Sequence, residues 1–198
     1  YGAMMEQVAK NRGHRVLSYG EAGYDIRLIE AAPTTKGQRL KFSVLGEVHE
    51  IDLPLIGRFQ AENVLCALGL VISSFIDDRD KIHKCVKVLE NLTPVAGRLE
   101  EISGHPRGAQ CLVDYAHTPD ALENVIKALV PHKQGRLITV FGCGGNRDKA
   151  KRPLMGRIAH RLSDVAIITD DNPRDEDPAQ IRKEIQIAAP KALDMGER

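Results

Sequence analysis

The second half of the chain alternates strand and helix patterns, and this alternation constrains the fold more than any other feature. Short apolar runs at Cys111–Val113, Leu137–Phe141 and Val165–Ile168 are each followed by a polar loop and an amphipathic helical pattern. Three such units in series predict an α/β domain with a mainly parallel sheet, because a helix carries the chain from each parallel strand to the next. The uninterrupted apolar runs predict strands that are buried on both faces.

The first half has a different pattern. It predicts a helix from Gly2 to Arg12, a strand at Arg15–Ser18 and strand-rich chain from Asp25 to Leu53 with a turn at Gly46. A helix follows with one apolar face, formed by Ala61, Val64, Leu65, Leu68, Val71, Ile72 and Phe75. We place a domain boundary after the breaker-rich loop that ends near residue 99, which gives domains 1–99 and 100–198.

Composition excludes several classes of function. A net charge of +1, aromatic content of 4% and the absence of tryptophan disfavour a nucleic-acid-binding protein. No apolar run approaches the roughly 20 residues of a membrane span. The cysteines lie far apart in sequence, which predicts buried reduced thiols, a cytoplasmic location and no Cys/His metal site; they are Cys66, Cys85, Cys111 and Cys143.

A glycine-rich loop follows the second predicted strand of this half. Gly142, Gly144 and Gly145 precede a basic segment that ends at Arg152. Glycine permits close backbone approach, so a strand–glycine loop–helix unit can present N–H groups to an anion. A plain tight turn is the alternative interpretation.

Polar clusters occur at the end of each predicted strand, at residues 114–117, 146–152 and 170–174. Ligands of parallel α/β sheets bind at the carboxyl ends of the strands. We therefore expect the three clusters to lie at one edge and to form a ligand site. The alternative is that each is a solvated loop.

The last two clusters suit an amino-acid ligand. Arg147 and Arg174 can each form a two-pronged hydrogen bond with a carboxylate. Asp171 and Asn172 supply acceptors for an ammonium group, and Pro173 restrains the backbone between them. The alternative is a helix-entry turn in which Asp175 or Asp177 caps the next helix and Arg174 lies in water.

The first cluster and the helix near residue 63 suit a nucleotide. Asp114 could accept hydrogen bonds from ribose hydroxyls, and His117 could face a nucleotide or carry a proton. Asn63, in the first turn of its predicted helix, could contact a ligand through its carboxamide. Helix capping is the open alternative at all three positions.

Five motifs, in order along nearly the whole chain, resemble those of the Mur ligases, which are ATP-dependent amide-forming enzymes of peptidoglycan synthesis. They are Gly57–Asn63, Gly97–Glu100, Val113–Asp120, Gly142–Arg152 and Asp171–Arg174. Within the family, the resemblance is to members that add meso-diaminopimelate to UDP-MurNAc-L-Ala-D-Glu through an acyl phosphate. It implies the latter part of a central ATPase domain, followed by an incomplete Rossmann-like C-terminal domain.

The resemblance also implies roles for individual residues. Arg147, Asp171, Asn172, Pro173 and Arg174 match positions that bind meso-diaminopimelate. Positions around ATP are matched by Asn63, Arg98, Asp114, Tyr115, His117 and Lys149. Of these, His117 is the sole candidate for a catalytic group, and Lys151 is a further candidate near phosphate.

One departure from the family pattern limits these expectations. The sequence contains no G-x-x-G-x-x-G-K-[ST] loop to grip phosphate. We therefore expect ATP and Mg²⁺ to be held mainly by an N-terminal part of the same enzyme that precedes Tyr1, and this chain alone to be inactive. Two alternatives stay open, namely a non-catalytic amino-acid-binding module and a related ligase such as a folylpolyglutamate or cyanophycin synthetase.

Overall fold

The computed structural model describes residues 2–196. The chain forms two compact units that meet in sequence between Pro94 and Val95. Each unit has its own hydrophobic core. The limits 1–99 and 100–198 for the family domains stay a prediction.

The first unit combines a four-stranded sheet with helices. Its elements are α1 (Gly2–Asn11), β1 (Tyr19–Gly20), β2 (Ile26–Thr34), β3 (Gly37–Val44), β4 (Glu47–Leu53), α2 (Arg58–Ile72) and α3 (Arg79–Val88). The sheet order is β1-β2-β3-β4. Strand β1 is parallel to β2, and the β2–β3 and β3–β4 pairs are antiparallel.

Alternation along β3 explains how this sheet covers its core. Leu40, Phe42 and Val44 are buried on one face, and the residues between them point the other way. The core also takes in the inner face of α2. Buried Gln38 donates hydrogen bonds to the carbonyls of Leu55 and Gly57, at 2.9 and 2.8 Å, and so fixes the segment that leads into α2.

Two sequence predictions for this unit are wrong. Arg15–Ser18 is not a strand, because the amide and hydroxyl of Ser18 donate hydrogen bonds to the Asp25 carboxylate at 2.8 and 2.7 Å. The short strand β1 lies just after it, at Tyr19–Gly20. Val71 does not belong to the buried face of α2, because its side chain is 52% exposed.

The second unit contains two separate sheets. Its elements are β5 (Glu100–Ile102), β6 (Cys111–Val113), α4 (Pro119–Leu129), β7 (Ile138–Phe141), α5 (Lys151–Leu162), β8 (Val165–Thr169), α6 (Pro178–Gln186) and β9 (Leu193–Met195). Strands β7, β8 and β9 form a parallel sheet, and β5 pairs with β6 in an antiparallel ribbon. The predicted α/β class with a mainly parallel sheet is confirmed.

The sequence did not predict how individual strands pair. Strand β6 was expected in the parallel sheet but pairs with β5, and Val113 is 47% exposed rather than buried. Strand β9 was not predicted. Strand β7 is buried on one face only within the described residues, since Ile138 and Val140 are 49% and 60% exposed.

Two helices of this unit begin at side-chain caps. Thr118 caps α4 by accepting a hydrogen bond from the Ala121 amide, and Asp177 caps α6 by accepting one from Ala179. The buried face of α5 contains Arg152, Met155 and Ile158. Leu154 was expected on the apolar face of α5 from the sequence pattern, but it is 45% exposed.

Two smaller expectations concern cysteines and membranes. All four cysteines are free, but Cys143 alone among them is fully buried, and the other three are half-buried. Burial raises the pKa of the Cys143 thiol. Among residues 2–196 no helix has both the length and the apolar character needed to cross a bilayer.

Candidate functional site

The candidate site lies where the Gly142–Arg152 loop contacts the Asp171–Glu176 turn. The Gly145 amide donates a hydrogen bond to the Asn172 carbonyl at 3.1 Å. A Cβ atom added at Gly145 would lie only 1.8 Å from the Pro173 carbonyl oxygen. The two loops therefore approach backbone to backbone, and glycine is required at position 145 because it lacks a side chain.

This junction revises the expectation of an anion cradle. The Gly145 amide is used by Asn172, and the Asn146 amide donates to the Glu176 carboxylate at 2.6 Å. The Asn146 carboxamide also donates to Asp175, at 2.7 Å. These two amides therefore join the loops together and are not directed at an anion.

Substituting Gly145 tests the junction. Gly145→Ala should destabilise the second unit by about 1–3 kcal/mol, because the new methyl group meets main chain and not a flexible side chain. Gly135→Ala is the matched control, since a Cβ there has no atom within 4 Å among the described residues. Urea unfolding of both variants measures the difference. Equal stability of the two would show that the loops do not approach as described.

Arg152 is the buried centre of the junction. Its side chain is 0% exposed, although it was expected to belong to a polar cluster that faces a ligand. It donates to Glu176 at 3.0 Å, to Glu184 at 2.7 Å and weakly to the Gly144 carbonyl at 3.4 Å. A buried guanidinium needs such partners because desolvation of an unpaired charge is costly. Arg152 thereby ties the glycine loop to the turn and to α6.

The charges of this network are fixed at neutral pH. Hydrogen bonds from Arg152, from the Asn146 amide and from Lys149 lower the pKa of Glu176 from its ordinary 4.5 to about 2. Glu176 and Glu184 in turn raise the pKa of Arg152. Because the folded pKa of Glu176 lies below the unfolded one, its contribution to stability is complete above pH 4.5 and is lost as the pH falls toward 2.

The lowered pKa of Glu176 leads to a prediction about the pH dependence of stability. Glu176→Gln should reduce stability at pH 7 and should reduce it much less at pH 3, where the wild-type network is already weakened. Comparing urea midpoints of wild type and variant at both pH values cancels the titration of other groups. The same difference at pH 3 and pH 7 would contradict the assignment.

The two arginines that were predicted to bind a carboxylate lie beside the same glycine. A Cβ atom added at Gly144 would lie 3.0 Å from Arg174 Nη1 and 3.9 Å from Arg147 Cγ. Arg174 also donates to the Gly145 carbonyl. Both arginines are exposed. The structure thus brings the Arg174 guanidinium and the aliphatic stem of Arg147 to the same glycine, although the two residues are 27 positions apart in sequence.

The turn that carries Arg174 has an unusual backbone. Asn172 and Arg174 have positive φ angles of 39° and 52°. Left-handed backbone is unfavourable for arginine, and such positions cluster at functional sites. Asp171 and Asn172 are exposed and Pro173 is half-buried, whereas the neighbouring Asp170 is paired with Arg182. The helix-entry alternative is correct about the cap, which is Asp177, but Arg174 contacts the glycine loop.

The predicted nucleotide residues of the second unit lie side by side. The Arg98 guanidinium lies 4.9 Å from the centre of the Tyr115 ring, and the His117 ring centre lies 4.9 Å from that of Tyr115, with the two rings tilted by 59°. Tyr115 is 64% exposed. Cation–π and ring contacts hold these three side chains together as an open cluster.

Asp114 has a structural role in this part of the site. Its carboxylate accepts hydrogen bonds from the amides of Leu99 at 3.0 Å and Ala116 at 2.8 Å. These bonds hold Leu99 at a positive φ of 47°. Capping does not explain Asp114 or His117, because Thr118 is the cap of α4.

Two lysines connect the clusters. Lys151 donates to the His117 carbonyl at 2.7 Å and so joins the first cluster to the glycine loop. Lys149, which was predicted near phosphate, pairs with Glu176 at 3.1 Å. Hydrogen bonds therefore link the three polar clusters of the second unit through the glycine loop, although most of their side chains are exposed. The ligand site that they were expected to form stays a prediction.

Asn63 belongs to the first unit. It is exposed and lies in the second turn of α2, not the first, and its carboxamide donates to Gln60 at 3.3 Å. Capping therefore does not account for this asparagine. Its predicted contact with a nucleotide stays a prediction.

Comparison with known proteins matches both halves of the chain to the same family. A family model described as "Mur ligase, glutamate ligase domain" matches residues 97–197, and "Mur ligase middle domain" matches residues 1–71. The UDP-N-acetylmuramoyl-L-alanyl-D-glutamate–2,6-diaminopimelate ligase of Caulobacter vibrioides is 51% identical over 96% of this chain and 38% of its own length. The enzyme of the same name from Zymomonas mobilis is 47% identical, with the same coverage.

Solved structures give the same result. A UDP-N-acetylmuramoyl-L-alanyl-D-glutamate–2,6-diaminopimelate ligase matches with a TM-score of 0.63 and 30% identity, over 99% of this chain and 41% of its own. Mycobacterium tuberculosis folylpolyglutamate synthase matches with a TM-score of 0.71 over 97% of this chain and 42% of its own, but at 20% identity it shows the fold alone. This chain spans about two fifths of the length of such relatives. The chain belongs to the Mur ligase family.

Proposed function

We propose that this chain is part of an ATP-dependent ligase that adds meso-diaminopimelate to UDP-MurNAc-L-Ala-D-Glu. The observation that carries the proposal is the convergence of Arg147 and Arg174 beside Gly144. Two exposed guanidinium groups suit a carboxylate of the incoming amino acid. The relatives at 51% and 47% identity are named as 2,6-diaminopimelate ligases, which supports the same substrate.

In the proposed complex, residues of the turn and of the glycine loop bind different groups of the amino acid. Arg174 and Arg147 bind a carboxylate, and Asp171 and Asn172 accept hydrogen bonds from an ammonium group. Arg152 fixes the two loops with respect to each other, so the pocket is formed before the amino acid binds. Such positioning lowers the entropy lost in bringing the amine to the activated carboxylate.

ATP supplies the phosphoryl group that activates the D-glutamate carboxylate as an acyl phosphate, and the amine then displaces phosphate. The exposed Tyr115 ring, held between Arg98 and His117, offers an aromatic surface to a nucleotide base. Asp114 fits a Mg²⁺ ligand poorly, because both of its oxygens accept backbone hydrogen bonds. We therefore assign Asp114 to loop structure and expect the magnesium ligands elsewhere in the parent protein.

A cytoplasmic location is part of the proposal. Four free thiols at unrelated positions suit a reducing compartment. The proposed substrates, UDP-MurNAc-dipeptide, ATP and meso-diaminopimelate, are small polar molecules. No nucleic-acid or membrane partner is proposed.

A substrate panel tests the function. The full-length protein that contains this sequence should release phosphate from ATP only when UDP-MurNAc-L-Ala-D-Glu and meso-diaminopimelate are both present. L-Lysine, L-glutamate and L-arginine serve as alternative amino acids, because they separate lysine-adding, folylpolyglutamate-type and cyanophycin-type ligases. Release with glutamate on a folate acceptor would overturn the proposal, and binding of diaminopimelate without ATP turnover would support a non-catalytic module.

A further inference from the structure

A cluster of metal-ligating side chains lies in the first unit, far in sequence from the motifs discussed above. Glu47 and His49 are two residues apart on β4 and so share one face of the strand. His83 on α3 lies opposite, with its Nε2 atom 2.6 Å from Glu47 Oε1. One ligand atom from each of the three residues lies within 4.8 Å of the others.

The state of His49 is the observation that points to a ligand. Its Nε2 atom is inaccessible to water and has no hydrogen-bond partner among residues 2–196. The ring is held by Phe42 and His83, whose ring centres lie 5.7 and 5.6 Å away. Buried polar nitrogens are nearly always paired, because an unsatisfied one carries its full desolvation cost. A bound ion would satisfy this nitrogen.

The charges around the cluster also bear on its occupant. Glu47 supplies a carboxylate oxygen, which attracts a cation. Arg79 is the opposing charge, with Nη1 4.0 Å from Glu47 Oε2, but its side chain is 79% exposed and can turn into water.

The donor set selects the class of metal. Two imidazole nitrogens and one carboxylate oxygen are ligands of Zn²⁺ and related transition metals, whereas Mg²⁺ and Ca²⁺ prefer oxygen alone. Ligand atoms on one tetrahedral ion with bonds of about 2.0–2.2 Å lie roughly 3.3–3.6 Å apart. The Glu47 and His83 ligand atoms lie 2.6 Å apart, closer than that range, so these two side chains would separate slightly around the ion. The three ligand atoms all lie within 4.8 Å of one another.

We propose that Glu47, His49 and His83 form a binding site for a divalent transition-metal ion of the Zn²⁺ type. The ion would join β4 to α3 and stabilise the first unit. Its fourth position would be open to water, and Glu47 borders a cavity of about 250 Å³. The site does not depend on the proposed ligase activity. Residue spacing did not indicate this site, because His83 lies 36 residues from Glu47.

Calorimetric titration of the full-length protein with Zn²⁺, in the absence of nucleotide, tests the proposal. We expect one Zn²⁺ per chain and a higher melting temperature with Zn²⁺ than with Mg²⁺. His49→Gln and His83→Gln should each weaken binding at least about tenfold, since even loss of an outer-sphere partner costs about 10–100-fold. Glu47→Gln tests the third ligand. Because the Glu47 side chain is half-exposed, this substitution should leave folding intact.

His160→Gln is the matched control, because His160 is an exposed histidine on α5 in the other unit. It should leave the tight site unchanged. Unfolding in chelator confirms that each variant folds. Unchanged stoichiometry and affinity in the His49→Gln/His83→Gln double variant would overturn the proposal, as would equal binding of Mg²⁺ and Zn²⁺.

Discussion

Arg152→Met is expected to lower the stability of the second unit by about 3 kcal/mol, the low end of the range for breaking a buried ion pair. For a unit of about 100 residues this corresponds to a fall in melting temperature of about 12–24 °C. The reason is that Arg152 is fully buried and holds Glu176 and Glu184, which would be left with uncompensated charge. Thermal unfolding by circular dichroism measures the loss.

Two further variants make this prediction specific. Arg161→Met removes an ion pair with Glu123 in which Arg161 is 61% exposed, and it should have little effect because water screens such pairs. Combining Arg152→Met with Glu176→Gln and Glu184→Gln should recover part of the loss, since no charge is then left unpaired. If Arg152→Met were as mild as Arg161→Met, Arg152 would not be the centre of the junction.

Arg174→Ala in the full-length enzyme is expected to lower kcat/KM for meso-diaminopimelate at least tenfold. A hydrogen bond to a charged group contributes about 1.5–3 kcal/mol, and a factor of ten requires about 1.4 kcal/mol. The loss grows if both prongs of the guanidinium contact the carboxylate. An amino-acid-dependent phosphate-release assay measures it.

Arg174→Lys is the matched variant, because it keeps the positive charge but not the planar fork. It should retain more activity than Arg174→Ala and less than wild type. L-Lysine, which lacks the distal carboxylate, provides the internal comparison, since its poor use should change little in either variant. Wild-type use of meso-diaminopimelate by Arg174→Ala would reject the assignment of Arg174.

The parts of the site that follow from local chemistry could be predicted from sequence. Polar residues at strand ends and the amino-acid-like set around Arg174 are visible in the order of residues alone. The proximity of Arg147 and Arg174 to Gly144 follows from the parallel topology of the strands that precede them. The role of Arg152 was missed, because its partners come 24 and 32 residues later in the chain. One signal was present, since Arg152 shares the periodic buried face of Met155 and Ala159.

Strand pairing was the weakest part of the prediction. The three apolar residues of β6 suit a parallel or an antiparallel neighbour equally, and its partner β5 precedes it by a breaker-rich loop. Strand β9 is three exposed residues long and has no periodicity to detect. The β8–β9 pairing joins residues 26 positions apart, and the β5–β6 pairing depends on how the loop between the strands folds, so local patterns contain neither.

The glycine loop shows the same limit. Its composition suits an anion cradle and a tight turn, but the structure uses Gly145 for backbone contact with Pro173. The choice depends on which chain segment lies opposite, and only the fold supplies that segment. Arg152 and Glu176 then fix the loop in the position from which Arg147 and Arg174 can act together.

The most direct test of the account is a crystal structure of the full-length ligase with meso-diaminopimelate bound. We predict that Arg174 holds one carboxylate of the amino acid with Arg147 beside it, and that Asp171 or Asn172 accepts a hydrogen bond from an ammonium group. Diaminopimelate bound without contact to either arginine would contradict the account.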